Sequence, residues 1–265
     1  MLARHPFLRE LAITTLIGIG VYAVCALIVL LAEKRERRDF SVYRRRSALN
    51  DLAYVVFYKC SIYSILVMPL FAFLSPRLQF LRIDLLQRLP RAASVLLAWL
   101  AFDFVNYWIH RLQHSSRLLW AFHSVHHAPT ELTFLSSHRS HFFEQLATGL
   151  LLLVPALVLG IPQQLWFPIL FLQLLSETFQ HARLSWNFGP LHALIVSPTF
   201  HSMHHSVDEE HYNSNYGRVF SVWDWLFGTF IAAKEPVARV GVEGMEIPER
   251  LTAQFAHPFR FLVSR

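Results

Sequence analysis

Charge is scarce in this chain: only 16% of its 265 residues are Asp, Glu, Lys or Arg, against about 25% in average soluble proteins. Hydrophobic residues make up 54% and aromatics 14%. Such a composition excludes a surface solvated by water on every side and points to a bilayer over much of it. Lys and Arg still outnumber Asp and Glu, 24 to 18, a balance suited to anionic lipid headgroups. The charges flank apolar runs and form no basic stripe on a polar domain, so a nucleic-acid partner is not expected. Cysteine is nearly missing too. Cys25 and Cys60 both lie in apolar stretches, which excludes a disulfide framework or a thiolate metal site. Any metal must be held by nitrogen or oxygen. No GxGxxG stretch precedes a helix, so no flavin or nicotinamide site is expected. The N-terminal apolar run has no Ala-x-Ala-like site after it, unlike a cleavable signal.

What the chain does contain is a series of long apolar runs. Leu11 to Ala32 carries no charge and has the length of a transmembrane helix, about 20 residues. It runs into a segment through Arg46 with seven Lys or Arg and three acids, counting Glu33. The positive-inside rule places that segment in the cytoplasm. A second span runs from Leu52 to Ser75, interrupted by Lys59, and Arg77 to Arg91 reads as an interfacial amphipathic helix. A third begins near Ala92, and two more, about 142–160 and 163–181, form a hairpin broken at Gly160 and Pro162. The expected fold is an all-α integral membrane protein of about four to five transmembrane helices with a cytoplasmic, histidine-rich helical cap. Three regions follow: N-terminal spans and interfacial helix over 1–91, a histidine-bearing region over 92–232, and a tail over 233–265.

Fifteen histidines stand in the sequence, and their order is informative. His110 and His114 form HRLQH; His123, His126 and His127 form HSVHH; His201, His204 and His205 form HSMHH. Residues three and four apart share a helix face, so each triplet is expected to aim three imidazoles at one point. Neutral imidazole ligates iron, zinc, copper or nickel. One HxxHH match would arise by chance in roughly one such chain in twenty, and two beside an HxxxH far more rarely. Eight nitrogens exceed the four that close one tetrahedral site and suit two metals. His181, at the end of the fifth span, lies within reach of the cluster. His138 and His141, at the start of the fourth, read as headgroup or supporting contacts, and His5 and His257 as surface residues. Asp103 and Glu177 are ionisable groups inside or at the ends of apolar spans, and hence functional candidates. Asp103 lies two turns before His110, placed to orient an imidazole. Trp108, Trp120, Tyr107 and Phe122 are candidates for lining an apolar tail's entry or for anchoring the membrane interface.

Three longer stretches, DFVNYWIHRLQH, LLWAFHSVHH and SPTFHSMHH followed by NSNYGRVFSVWDWLFGTF, resemble the fatty acid hydroxylase and sterol desaturase superfamily. The resemblance covers roughly residues 95 to 232, with an echo in HPFRFL near the C-terminus. It implies a di-iron centre that activates O2 for hydroxylation, desaturation or ether cleavage of lipids. By the same resemblance the eight motif histidines are metal ligands. Some members carry two further histidines four apart before the last cluster; here Glu177 and His181 stand there, Glu177 being a departure. The three-residue gap in HRLQH looks closer to the sterol-desaturase-like branch. The resemblance implies iron as native metal, with zinc able to occupy such sites on purification, and O2 as co-substrate. HPFL near the N-terminus lacks the HPGG of a fused haem domain. Electrons are therefore expected from a cytochrome b5- or ferredoxin-like protein or a reduced pterin.

Three other readings compete. A metal transporter would place its site near the bilayer midplane in broken helices, whereas these motifs sit at span ends. A zinc-dependent hydrolase needs a carboxylate base beside each metal, and acids are nearly absent from the motifs. A structural zinc protein is the third.

Overall fold

The computed structural model describes residues 6–161 and 163–264 and is all-helical. His5 lies outside the described residues. The apolar runs become helices because a backbone in hydrocarbon must satisfy its own hydrogen bonds. Helix α1 spans Pro6–Arg35, α2 Arg46–Lys59, α3 Ile62–Arg77 and α4 Arg91–Ser115. Short α5 (Arg117–His127) leads to the hairpin α6 (Phe142–Leu159) and α7 (Gln163–Gln180). The cap holds α8 (Pro198–His204) and α9 (Val222–Phe227), and α10 (Leu251–Val263) packs on α5. Among the described residues the only bridge between extended strands joins Ser206 and Val240.

Among the described residues four stretches are long and apolar enough to cross a membrane: Arg9–Arg35, Arg46–Arg77, Arg91–Ser115 and Phe142–Leu159. Their outer faces stay apolar: Leu16, Val24, Leu27, Leu31, Leu66 and Phe73 are exposed. In water such a surface would drive aggregation; against lipid tails it is the ordinary condition. Along α1 the buried stripe is Tyr22, Cys25, Val29 and Glu33, at the three- and four-residue steps of one helix face. This face meets α7. Glu33 closes the stripe by accepting hydrogen bonds from the Tyr43 hydroxyl, at 2.8 Å, and from the Arg183 amide, at 2.9 Å, which ties the end of α1 to the cap.

Two expectations change. The second span is two helices, broken where Ser61 takes a left-handed φ of 62°. A hydrogen bond between Ser61 and Thr15 of α1 holds the break in place. The stretch from Arg77 to Arg91 is not one amphipathic helix but two short 3-10 turns, Gln79–Leu81 and Leu85–Arg88. Its backbone is recruited by α6, the Ile83 amide donating to the Val158 carbonyl at 3.1 Å. Asp84 then packs against the α6–α7 turn. A Cβ on Gly160, at φ 62°, would stand 2.8 Å from the Asp84 Cα, so only glycine fits there.

Helices α1, α4 and α7 finish at one end of the bundle, where α6 begins. Their termini and the cap enclose the histidines.

Candidate metal centre

Nine histidines converge into two abutting groups. His110, His114, His123, His127 and His204 form one; His126, His181, His201 and His205 form the other. Within each group one nitrogen per ring lies within 4.8 Å of every other. The triplets do not each converge on one point, as expected from their spacing. Residues three and four further along a helix differ by about 100° in direction, so a triplet fans across both groups. His123 and His127 enter the first and His126 the second, while His201 and His205 enter the second and His204 the first. The two motifs thus exchange their middle histidine.

The ring nitrogens are arranged as ligands and not as ordinary hydrogen-bond partners. His201 Nε2 lies 3.2 Å from His181 Nε2 and 3.2 Å from His205 Nε2, and His181 Nε2 lies 3.4 Å from His126 Nε2. Nitrogens bound tetrahedrally to zinc at 2.0–2.1 Å would stand roughly 3.3 Å apart. In the first group His204 Nε2 and His127 Nε2 are 3.1 Å apart, and buried His114 Nε2 and His123 Nε2 have no hydrogen-bond partner. Buried, unpaired nitrogens are costly unless something else fills their lone pairs. The residues fit a metal in both groups.

The opposite ring nitrogens are fixed by the scaffold. Nδ1 of His110 donates to the Tyr216 carbonyl at 2.8 Å, and that of His204 to the Ser214 carbonyl at 2.9 Å. Nδ1 of His126 donates to the Arg139 carbonyl and that of His181 to the Glu177 carbonyl, each at 3.0 Å. Each bond selects the tautomer that leaves Nε2 free for a metal. Burial keeps the rings outside the spans neutral: His204 is pushed down to about 3 and His181 to about 4. His126, His127, His201 and His205 fall well below the ordinary value, first from burial and then from neighbouring imidazoles.

The long motif after the last histidines builds this frame. Asn213 and Asn215 both take φ of 57°, a conformation asparagine tolerates. The turn they form presents the Ser214 and Tyr216 carbonyls to two rings. Buried Asp224 braces it, accepting from the amides of Tyr216 and Gly217 at 2.7 Å each, and burial lifts its carboxyl to about 6. A Cβ on Gly217 would lie 2.6 Å from the Phe220 carbonyl, so the chain passes too closely for any side chain.

Several acids and histidines have other duties than expected. Asp103 orients no imidazole: it accepts from the Val219 and Phe220 amides and from Trp223 Nε1, at 2.9 to 3.0 Å, pinning the cap to α4. The Glu177 carboxylate pairs with Arg218 at 2.5 Å and joins neither group. His141 caps α6, accepting from the Phe143 amide, while its Nε2 bonds the Phe255 carbonyl at 3.0 Å. His257 is buried and not on the surface. Glu144 is the carboxylate that the sequence reading missed. Its Oε1 meets His123 Nδ1 at 2.7 Å and accepts from Gln113, and its Oε2 accepts from Ser140. The available signal was a lone acid in the first turn of an apolar span, four residues after Ser140. Of the four aromatic candidates, Trp120 packs on the histidine rings, 5.0 Å from His114 and 5.3 Å from His127. Tyr107 also reaches the site's frame, bonding Thr229 at 2.9 Å.

Two cavities meet the histidines. A small one of about 60 Å³ is lined by His110, His123, His126, His181 and His201. A second of about 310 Å³ reaches His114, His127 and His204 beside Trp120.

Comparison with known proteins fits this geometry. The chain is 32% identical to the ornithine lipid hydroxylase OlsE of Rhizobium tropici over 64% of its own length and 51% of that protein's. It is 32% identical to human alkylglycerol monooxygenase over 61% of its length and 36% of the relative's, and 30% identical to methylsterol monooxygenase 1-3 of Arabidopsis thaliana over 52% and 47%. The chain thus spans about half or less of these relatives. No solved structure matches it. The profile described as fatty acid hydroxylase matches residues 95–229, half of the chain, from within α4 to the end of the site's frame. The chain belongs to the fatty acid hydroxylase family.

Proposed function

We propose that this protein is a membrane-bound, O2-dependent di-iron oxygenase that oxidises a lipid. The observation that carries the reading is the pair of abutting nitrogen groups, five and four rings, at the end of a membrane bundle. His110, His114, His123, His127 and His204 would hold one iron, and His126, His181, His201 and His205 the other. Bound there, the irons would supply O2 activation and electron transfer, chemistry that no side chain offers. For hydroxylation the balance is one C–H bond and O2, with two electrons and two protons, giving an alcohol and water. The electrons come from a separate cytochrome b5- or ferredoxin-like protein, or from a reduced pterin. The basic segment after α1 supports a cytoplasmic active site.

The chain's own residues do the remaining work. Backbone carbonyls at Tyr216, Ser214, Arg139 and Glu177 keep the imidazoles in the ligating tautomer. Glu144 raises the basicity of His123 through its Nδ1 contact. Burial excludes bulk water, which limits side reactions of an activated oxidant. A zinc hydrolase would need a free carboxylate at the site, yet Glu144 is engaged by His123 and Glu177 by Arg218.

The test is O2 uptake by iron-reconstituted protein with a reductant and lipid extract, followed by lipid profiling. O2-dependent loss of one lipid class, absent from the zinc form, is expected. Hydrolysis products formed equally without O2 would refute the reading.

A further inference from the structure

A larger cavity, about 780 Å³, opens between α1, α3, α6 and α7 within the membrane-spanning layer. That volume is in the range of small-molecule sites. Leu11, Val21, Val67, Phe71 and Leu152 give it apolar walls. It shares Ser137, Gln145, Thr148, Glu177 and Arg218 with the small cavity beside the histidines, so the two spaces adjoin. The charged groups sit along this inner region. Lys59, Glu177 and Arg218 are the charged side chains lining the larger cavity, with His138 beside them.

Their bookkeeping is uneven. Arg218 has partners: its guanidinium pairs with Glu177 at 2.5 Å and donates to Asn106 at 3.1 Å, and its carbonyl accepts from Ser176 and Gln180. That pair is neutral. Lys59 has no hydrogen bond or ion pair from its ammonium to any described residue. It sits at the break between α2 and α3, thirteen residues or about 20 Å along the helix from Arg46. A lysine stem cannot snorkel that far to the interface. Lys59 and Arg218 thus face a single carboxylate, Glu177, and the excess positive charge among largely apolar walls is expensive and marks a functional position.

We propose that the cavity binds an amphiphile with one oxyanion, a carboxylate or a phosphate, held by Lys59 beside Arg218, its tail running between α1, α3 and α6. This rests on the lipid reading of the histidine centre and narrows it. The anion balances the second cation, which Glu177 alone leaves in excess, and sets the head next to the small cavity, so the carbons near the head lie nearest the histidines. A neutral sterol or alcohol head leaves Lys59 unpaired and binds more weakly.

Binding of labelled palmitate to metal-loaded protein in phosphatidylcholine nanodiscs tests this, with hexadecyl phosphate and hexadecanol as competitors of matched chain length. The expected result is that at least one of the two anions binds about tenfold or more tighter than hexadecanol, the scale of a charge-assisted hydrogen bond. Whichever anion binds more tightly identifies the head as carboxylate or phosphate. Lys59→Met should abolish the preference while hexadecanol binding stays the same, and Lys59→Arg should keep it. Lys59→Met should also melt no lower than the parent, because it removes an excess charge; a lysine kept for structure would give the reverse. If Lys59→Met does not fold, the proposal is overturned on that ground. Equal competition by hexadecanol against the parent, or an undiminished preference in Lys59→Met, overturns it as well. The readout needs no turnover, so anion selectivity without O2-dependent oxidation would refute the oxygenase reading alone.

Discussion

The rings of His127 and His205 stack 4.2 Å apart at an interplanar angle of 25°, yet they belong to different nitrogen groups. This contact is the seam between the two centres. Each ring closes the C-terminal end of its motif, and the seam keeps the two histidine groups adjacent while their nitrogen sets stay separate.

The groups differ in size, and so should their tolerance. His205→Ala leaves three nitrogens in the second group, whereas His127→Ala leaves four in the first. Four nitrogens still close a tetrahedral site. His205→Ala should therefore lose an ion on dialysis that His127→Ala retains, as read by metal analysis of both variants. Equal losses would show that the division into five and four is wrong.

Glu144 touches the first histidine group only through His123. Glu144→Gln should leave the fold intact and weaken one site by about 10- to 100-fold, the usual effect of removing such a partner. Chelator competition measures it. Unchanged affinity would reduce Glu144 to a helix cap.

Arg139 links α2 to the second group: its guanidinium meets buried Asp51 at 2.5 Å and its carbonyl orients His126. Removing one partner of a buried pair costs about 3–5 kcal/mol. Asp51→Ala should lower the melting temperature and release metal from the His126 group first. A fully stable variant with loose metal, or the reverse, would separate the two roles of Arg139.

Acid should act on the apo-protein through the neutral imidazoles. Burial depresses the folded-state values, to about 4 for His181 and about 3 for His204, from an ordinary 6.5. The unfolded chain then binds more protons, so the stability they contribute is complete above 6.5 and falls as pH drops towards 4 and then 3. Thermal melts of the apo-protein from pH 8 to 4 should be flat above 6.5 and decline below it. A melting temperature that rose on acidification would contradict neutral burial.

The spans and the histidines that cluster were legible because both follow from spacing. Uncharged stretches of membrane length become helices, and histidines three and four apart share a face. The exchange of His126 and His204 between groups was not, because it depends on how α5 and α8 approach each other. The partners that orient the rings were equally hidden. Most are backbone carbonyls, which carry no residue signature. Asp103 was singled out correctly as a buried acid but assigned the wrong partner, since a position two turns from a histidine is also within reach of the cap's amides. The stretch from Arg77 to Arg91 had an amphipathic composition, yet docking onto α6 outweighed its helical periodicity.

The most direct test is metal analysis of protein purified anaerobically from iron-supplied cells, with protein concentration from amino-acid analysis. The account predicts two ions per chain, falling on combined His123→Ala and His204→Ala substitution. One ion per chain in the unsubstituted protein, or no loss in the double variant, would contradict it.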